Sequence, residues 1–241
     1  MREANPLSKN KLQAFVETAS GMAAGCRLVG CILPFTGLRA GEFYHLHRDW
    51  IRTPDPFDTD LGDADEIFIN IQDAPCQGTV EFAERNKYEE GPSLIRSESS
   101  CRRCDPDPNW RPRFEHRYRT IPVTSEPAVE VLQWWFKQHE SNPCFQGIVR
   151  RIQRVAEKAG IDRAGELTSF DLRDTFGVLL LKSGLETSDT AKIMGYSRER
   201  LLKPLVEHTE RSIEWPPSGY ISDEALLEEI CRLAEALHRP P

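Results

Sequence analysis

The sequence predicts a mainly helical α+β fold with a small β-sheet, and three observations carry that prediction. Apolar residues recur at helical spacing near the start of the chain and again through its second half. Two short stretches, Ile67-Phe68-Ile69-Asn70-Ile71 and Arg119-Thr120-Ile121-Pro122-Val123, are rich in β-branched residues and read as strands, the second with Pro near its end. Between them, residues 72–110 show no clear period and read as an insertion in or beside the hairpin that the two strands would form. The order is therefore helices, a small sheet with an insertion, then helices, in one domain over residues 1–241.

The elements follow in order. Ser8 is placed to cap a first helix that carries Leu12, Phe15 and Val16 on one face. A second, apolar helix runs from about Met22 to Phe35 and stops at Thr36-Gly37. A short helix follows from Arg39 to about His47, and then Asp49-Trp50-Ile51. Residues 53–66, rich in Pro, Asp and Gly, read as a surface loop ahead of the first strand. After the second strand, Ser125 and Pro127 start a helix bearing Val131, Trp134 and Trp135. Ile148, Ile152 and Val155 mark the next helix, which ends at Gly160. Thr168-Ser169-Phe170-Asp171 fits a capping box, and the helix behind it carries Leu172, Phe176, Leu179 and Leu180 before ending at Gly184. Thr187 is read as the cap of a short helix ending at Gly195. In the C-terminal region, 211–241, Ser222 would cap a last helix with Leu226, Ile230, Leu233 and Leu237 on one face.

Composition limits the function. The chain has 241 residues and 39% hydrophobic residues, enough for a packed core. Its longest apolar run, about Leu28 to Phe35, is far too short to span a bilayer, and its first residues lack the apolar core of a secretory signal. A cytoplasmic protein without a membrane partner is expected. The net charge of −7 argues against a polyanion partner, but charge is local. From Arg85 to Arg119 nine Lys and Arg face six acids, and Arg150, Arg151 and Arg154 form a second basic group. An acidic body with basic patches is compatible with DNA. Seven Cys, an odd number without an export signal, argue against a disulfide framework. Cys26, Cys31, Cys144 and Cys231 read as buried thiols.

The segment Leu33-Pro34-Phe35-Thr36-Gly37-Leu38-Arg39-Ala40-Gly41-Glu42-Phe43-Tyr44-His45-Leu46 resembles the first conserved box of the tyrosine recombinases, the phage-type integrases, which reads roughly T-G-L-R-x-x-E-x-x-x-L. Phe170-Asp171-Leu172-Arg173-Asp174-Thr175-Phe176 resembles their second box, H-D-L-R-H-T-F, and Lys192-Ile193-Met194-Gly195-Tyr196-Ser197 their L-L-G-H-S. The motifs come in the family's order, and the likeness runs from about residue 7 to 210. It implies the DNA breaking-rejoining catalytic fold with a small antiparallel sheet, and site-specific DNA recombination or integration through a phosphotyrosyl intermediate. Double-stranded DNA is the implied partner, with a homo-oligomer assembling on it.

In such a family a Tyr hydroxyl attacks a DNA phosphate, two Arg side chains clamp the phosphate oxygens, and a hairpin Lys protonates the leaving oxygen. No cofactor or catalytic metal is required, because guanidinium groups supply the positive charge. Carried over by position, Arg39 and Arg173 form the clamp, and Thr36, Gly37 and Glu42 shape the turn that bears it. Departures follow. The family's first His is Phe170, which cannot carry a proton, and its second is Tyr196, which can still hydrogen-bond. The nucleophile position, almost three helical turns further on, falls on Leu205 or Val206, with His208 just behind. Tyr220, in a Pro-rich stretch, is the remaining candidate nucleophile for this chain or a neighbouring subunit; the alternative is an ordinary packing Tyr. In place of the hairpin Lys stand Arg113 and Arg117, which hold their protons too tightly for acid catalysis but can bind phosphate. Catalysis is therefore expected to be impaired.

Further DNA contacts are expected from Arg102, Arg111 and Arg151. Cys76 with Cys101 and Cys104 could hold a structural zinc, with His116 or Asp105 as fourth ligand. Some archaeal integrase-like proteins carry a Cys cluster in this region; the alternative is free thiols. Integrases usually carry a separate helical domain ahead of the catalytic one. This chain begins at the catalytic part, so weak, salt-sensitive DNA affinity is expected. Two competing readings are a non-catalytic DNA-binding relative and an unrelated helical protein whose zinc-bearing insert binds another protein.

Overall fold

The structure, a computed structural model, describes residues 4–54, 61, 64–75, 79–82, 94–96, 109–112, 115–139, 144–145 and 147–211. Helices α1 (Lys9–Ser20), α2 (Ala24–Thr36) and α3 (Ala40–Tyr44) come first, followed by a 3-10 turn at Arg48–Trp50. The strands are β1 (Ile51–Arg52), β2 (Ile67–Ile71), β3 (Ala74–Pro75), β4 (Thr79–Phe82), β5 (Leu94–Arg96), β6 (Asn109–Trp110) and β7 (Arg119–Val123). The chain continues through α4 (Glu126–Phe136), β8 (Cys144–Phe145), α5 (Ile148–Lys158), α6 (Ser169–Lys182), α7 (Thr187–Ile193) and α8 (Lys203–Arg211).

β2 and β7 pair antiparallel with Ile69 opposite Ile121 and Ile67 opposite Val123, and β1 extends the sheet on the far side of β2. All four of these side chains are buried, which sets the register: a slip of one residue would turn them all to the other face. By the same alternation, position 119 shares the buried face of Ile121 and Val123. Both strands have the bounds that the sequence predicts.

α2 is the central helix. It is apolar nearly all round, with Leu28, Val29, Cys31, Ile32 and Leu33 at 1% exposure or less, and packs against α1, α4, α5 and α6. A helix apolar on every side gains only by being wrapped, at roughly 1.5–3 kcal/mol per large side chain buried. Its buried Cys26 and Cys31 are free thiols, as expected, with burial raising the pKa of each.

Several local expectations change. Ser8 occupies the N-cap of α1, but only its carbonyl is used, accepting the Leu12 N–H at 2.8 Å. Glu186, not Thr187, is the N-cap of α7. α3 ends at Tyr44 rather than His47, where the His45 Nδ1 pairs with the Gly41 carbonyl at 2.7 Å. Residues 72–110 contain strands: β3 pairs with β6, and β4 lies between β5 and β8, parallel to the latter. Strands this short carry no readable period. Trp110 closes this region onto the body of the protein by stacking on His45 at 5.2 Å and meeting Trp50 at 5.5 Å. The helix predicted behind Ser222, Cys231 and the side chain of Cys144 lie outside the described residues. Among the described residues no helix is long and apolar enough to cross a membrane.

Candidate functional site

The site begins at the turn after α2. Thr36 returns its hydroxyl to the Ile32 carbonyl at 2.9 Å, and Gly37 ends the helix in the left-handed region at φ 55°. A Cβ at Gly37 would stand 2.4 Å from Phe176 Cδ1, so only glycine lets this turn meet α6. The next turn presents Arg39 and locks it: the Glu42 carboxylate accepts the Arg39 N–H at 2.7 Å and its Nη1 at 2.9 Å.

α6 brings the second arginine. Thr168 and Asp171 form the predicted capping box, with the Thr168 N–H donating to Asp171 Oδ2 at 2.8 Å and the Phe170 N–H to Thr168 Oγ1 at 3.3 Å. That start places Arg173 one turn in, on the buried side, at 3% exposure. Its two Nη atoms donate to the carbonyls of Gly37 and Met194. Among the described residues no carboxylate pairs with it directly.

The last residue of α7 and the turn after it supply the floor. Their three successive carbonyls each take one guanidinium: Ile193 accepts from Arg119 Nε at 2.7 Å, Met194 from Arg173, and Gly195 from Arg39 Nη2 at 2.6 Å. These are the carbonyls that a helix C-terminus leaves without intrahelical partners, at the negative end of its dipole. Tyr196 follows at once, and its ring centroid lies 4.9 Å from Arg173 Cζ and 5.9 Å from Arg39 Cζ.

Arg119 joins the cluster from β7 through Nη1 and Nη2 to the two Glu42 oxygens, at 2.8 and 2.9 Å. Burial opposes ionisation of Glu42, but the guanidiniums of Arg119, Arg39 and Arg173 hold its carboxyl down at about 2. Burial, and then the charge of Arg39, push Arg173 down to about 10, so it remains a cation at neutral pH. Three guanidiniums against one carboxylate leave two positive charges in surplus in a mostly buried cluster. An uncompensated buried charge is costly, and an oxyanion seated beside Arg39 and Arg173 would offset it.

Arg39, Arg173 and Tyr196, predicted far apart in the chain, thus come together. Phe170 stands at the mouth of α6, 61% exposed. Leu205 lies buried on α8, with its Cδ1 only 2.6 Å from where a Cβ on Gly177 would be; Val206 and His208 are half-buried. Arg117 is half-buried before β7, its carbonyl accepting Arg119 Nη1 at 3.1 Å. Arg111 is an exposed residue 3.6 Å from Asp73. Arg151 lies on the α2–α5 face against Gly25, where Arg154 and Lys158 also act on Cys26. Arg102, Arg113, Cys76, Cys101, Cys104, Asp105 and Tyr220 lie outside the described residues. Among the described residues no group of three His, Cys, Asp or Glu is placed to hold a metal. Arg119 was missed as a site residue. The alternation of its strand was the available signal, since it turns position 119 to the buried face.

Helices, a three-stranded antiparallel sheet, and two motif arginines converging beside the turn after α7 define the catalytic-domain fold of the tyrosine recombinases. The solved structure of XerA recombinase matches with a TM-score of 0.54 at 17% identity, over 100% of this chain and 65% of that one. The XerH site-specific recombinase bound to its difH substrate before cleavage matches with a TM-score of 0.53 at 15% identity, over 89% and 54%. Its post-cleavage complex with palindromic difH gives 0.55 at 14% identity, over 97% and 54%. This chain therefore spans 54–65% of the length of these structures. No family model and no curated protein matches the sequence.

Proposed function

We propose that this protein binds double-stranded DNA and seats one phosphodiester between Arg39 and Arg173, as a protein of site-specific recombination or integration. The observation that carries the reading is the surplus of two positive charges in a cluster whose arginines are fixed by three consecutive carbonyls. Preorganised donors of that kind favour an anion whose charge rises as it reacts, and the five-coordinate phosphorus of strand cleavage carries two negative charges. In that reaction a Tyr hydroxyl attacks phosphorus, the phosphotyrosyl bond forms, and the 5′ oxygen leaves with a proton. The guanidiniums supply the positive charge, so the step requires no cofactor. Tyr220, from this chain or from another copy on the DNA, is the candidate nucleophile, and Tyr196 a hydrogen-bonding group beside the clamp. Arg102, Arg111, Arg113, Arg117 and Arg151 would hold flanking phosphates.

One observation favours a second reading, in which the clamp binds DNA without cutting it. Of Leu205 and Val206, the two residues at the position expected for the nucleophile, neither carries a nucleophilic group, and Leu205 is packed into the core beside Gly177. A nicked suicide substrate separates the two. A covalent protein–DNA adduct that disappears in Tyr220→Phe means cleavage, and a salt-sensitive mobility shift without an adduct means binding alone. Absence of any shift at low salt would reject both and favour a protein-interaction module built on the Cys76, Cys101 and Cys104 insert. Zinc content measured on the purified protein tests that module directly.

A further inference from the structure

We propose that Arg119 is a positioning residue of the anion site, which sets the Arg39 guanidinium by gripping Glu42 and the carbonyl turn at Ile193 without touching the anion itself. The proposal rests on the reading that Arg39 and Arg173 hold an oxyanion.

Four of the five N–H donors of Arg119 are committed. Nη1 and Nη2 form a two-pronged pair with Glu42 at 2.8 and 2.9 Å, Nε donates to Ile193 at 2.7 Å, and Nη1 also reaches the Arg117 carbonyl at 3.1 Å. Its side chain is 5% exposed, against 23% for Arg39. The neighbouring turn is cut to fit it: Gly195 has φ 61°, and a Cβ there would stand 3.0 Å from Arg119 Cδ and Nη1. Arg39, by contrast, gives one Nη to Glu42 and the other to Gly195, and keeps an open side.

Glu42 links the two arginines. Oε1 receives Nη1 of both, while Oε2 receives Nη2 of Arg119 and the main-chain N–H of Arg39. A carboxylate gripped at both oxygens by a planar fork cannot rotate, so the direction in which it holds Arg39 is fixed. Without the fork, Glu42 is left buried with Arg39 as its nearest cation. Arg39 is then drawn onto both oxygens, and the surplus charge of the cluster falls from two to one.

The groups that act on Glu42 are Arg39 from its own turn, Arg119 from β7 and Arg173 from α6. Tyr196 lies over Arg39 and Arg173, and the mostly exposed His116 is within electrostatic reach of Arg39 and Arg119. Desolvation, and then the charges of Arg117, Arg39 and Arg119, push the His116 pKa below its ordinary value, so the part of Glu42 must be isolated by its own substitution.

The test is titration of the full chain with inorganic sulfate, whose charge is constant across the pH range used, alongside a short labelled DNA duplex at low salt. Arg119→Gln is expected to weaken sulfate binding about tenfold at neutral pH, the cost of one charge-assisted contact. Binding should return as pH falls, because protonation of Glu42 releases Arg39. Adding Glu42→Gln restores the surplus of two charges and should abolish that pH limb while recovering most of the affinity. Arg119→Lys keeps the charge and loses the fork, so it should bind severalfold more weakly than the natural protein and show no Glu42 limb. Wild-type affinity in Arg119→Lys would overturn the proposal, as would a pH limb in Arg119→Gln that survives Glu42→Gln. Should Arg119→Gln fail to fold, the Arg119→Lys comparison decides alone. Failure of the natural protein to bind sulfate or duplex would instead remove the anion site, and this inference with it.

Discussion

The Arg173 guanidinium lies 4.9 Å from the centre of the Tyr196 ring, and the same ring meets Arg39 at 5.9 Å. An aromatic face over two like charges supplies attraction that their backbone acceptors do not, worth about 0.5–2 kcal/mol depending on desolvation. The ring, not the hydroxyl, provides it. Tyr196→Phe should therefore melt within about a degree of the natural protein, whereas Tyr196→Ala should lose about 1–2 kcal/mol, some 2–8 °C for a chain of this size. Thermal denaturation compares them directly, and equal losses in both variants would place the effect in the hydroxyl instead.

Arg173 bridges two carbonyls on different segments, Gly37 after α2 and Met194 after α7. Lys carries the same charge but cannot span both acceptors. Arg173→Lys should leave one buried carbonyl unmet, at about 1–3 kcal/mol, and remove measurable sulfate binding. Arg111→Lys, at an exposed and screened position, is expected to change stability by less than about 0.5 kcal/mol. Denaturant titrations of the pair test the contrast; equal losses would mean that the bridge contributes nothing.

What was legible in the sequence was local. The capping box at Thr168 and Asp171 could be read because its partners lie three residues apart, and strands 67–71 and 119–123 because each spans five residues with β-branched density. The meeting of Arg39 with Arg173 was legible through motifs. For Arg119 the strand alternation marked a buried face, but the ion pair was not legible, because its carboxylate partner Glu42 lies on another element. The pairing of β3 with β6 was hidden by strand length, and the packing of Leu205 beside Gly177 by its dependence on how α8 docks on α6.

That packing makes its own prediction. A Cβ on Gly177 would lie 2.6 Å from Leu205 Cδ1 and 2.7 Å from Met194 Sδ, so there is no room to enlarge either side. Leu205→Tyr should cost more than the usual 1–3 kcal/mol of an overpacked core and should form no DNA adduct, because its phenol would have to fit into the packing against Gly177 and Met194. Val206→Tyr, on the half-buried neighbouring face, should cost about 1 kcal/mol or less. Melting temperatures and a suicide-substrate gel read both; an adduct from Leu205→Tyr would show that α8 can re-dock.

Glu42 is held ionised far below the ordinary range, at about 2 against 4.5. A carboxylate lowered on folding adds stability that is fully present above its unfolded pKa and lost as pH falls through the folded one. The window here runs from about pH 4.5 down to 2, and the gap corresponds to about 3 kcal/mol. Glu42→Gln removes that contribution and leaves three guanidiniums facing one another, so at pH 7 the variant should be less stable by about 3–5 kcal/mol. As pH drops through the window the two proteins should converge, since the natural one also loses the charge at 42. Every other carboxylate titrates in both and cancels in the difference. Urea denaturation at pH 7, 4.5 and 3 follows the gap. A difference that stays constant down to pH 3 would mean that Glu42 contributes by shape and hydrogen bonding alone, and that the cluster around it carries less charge than its geometry implies.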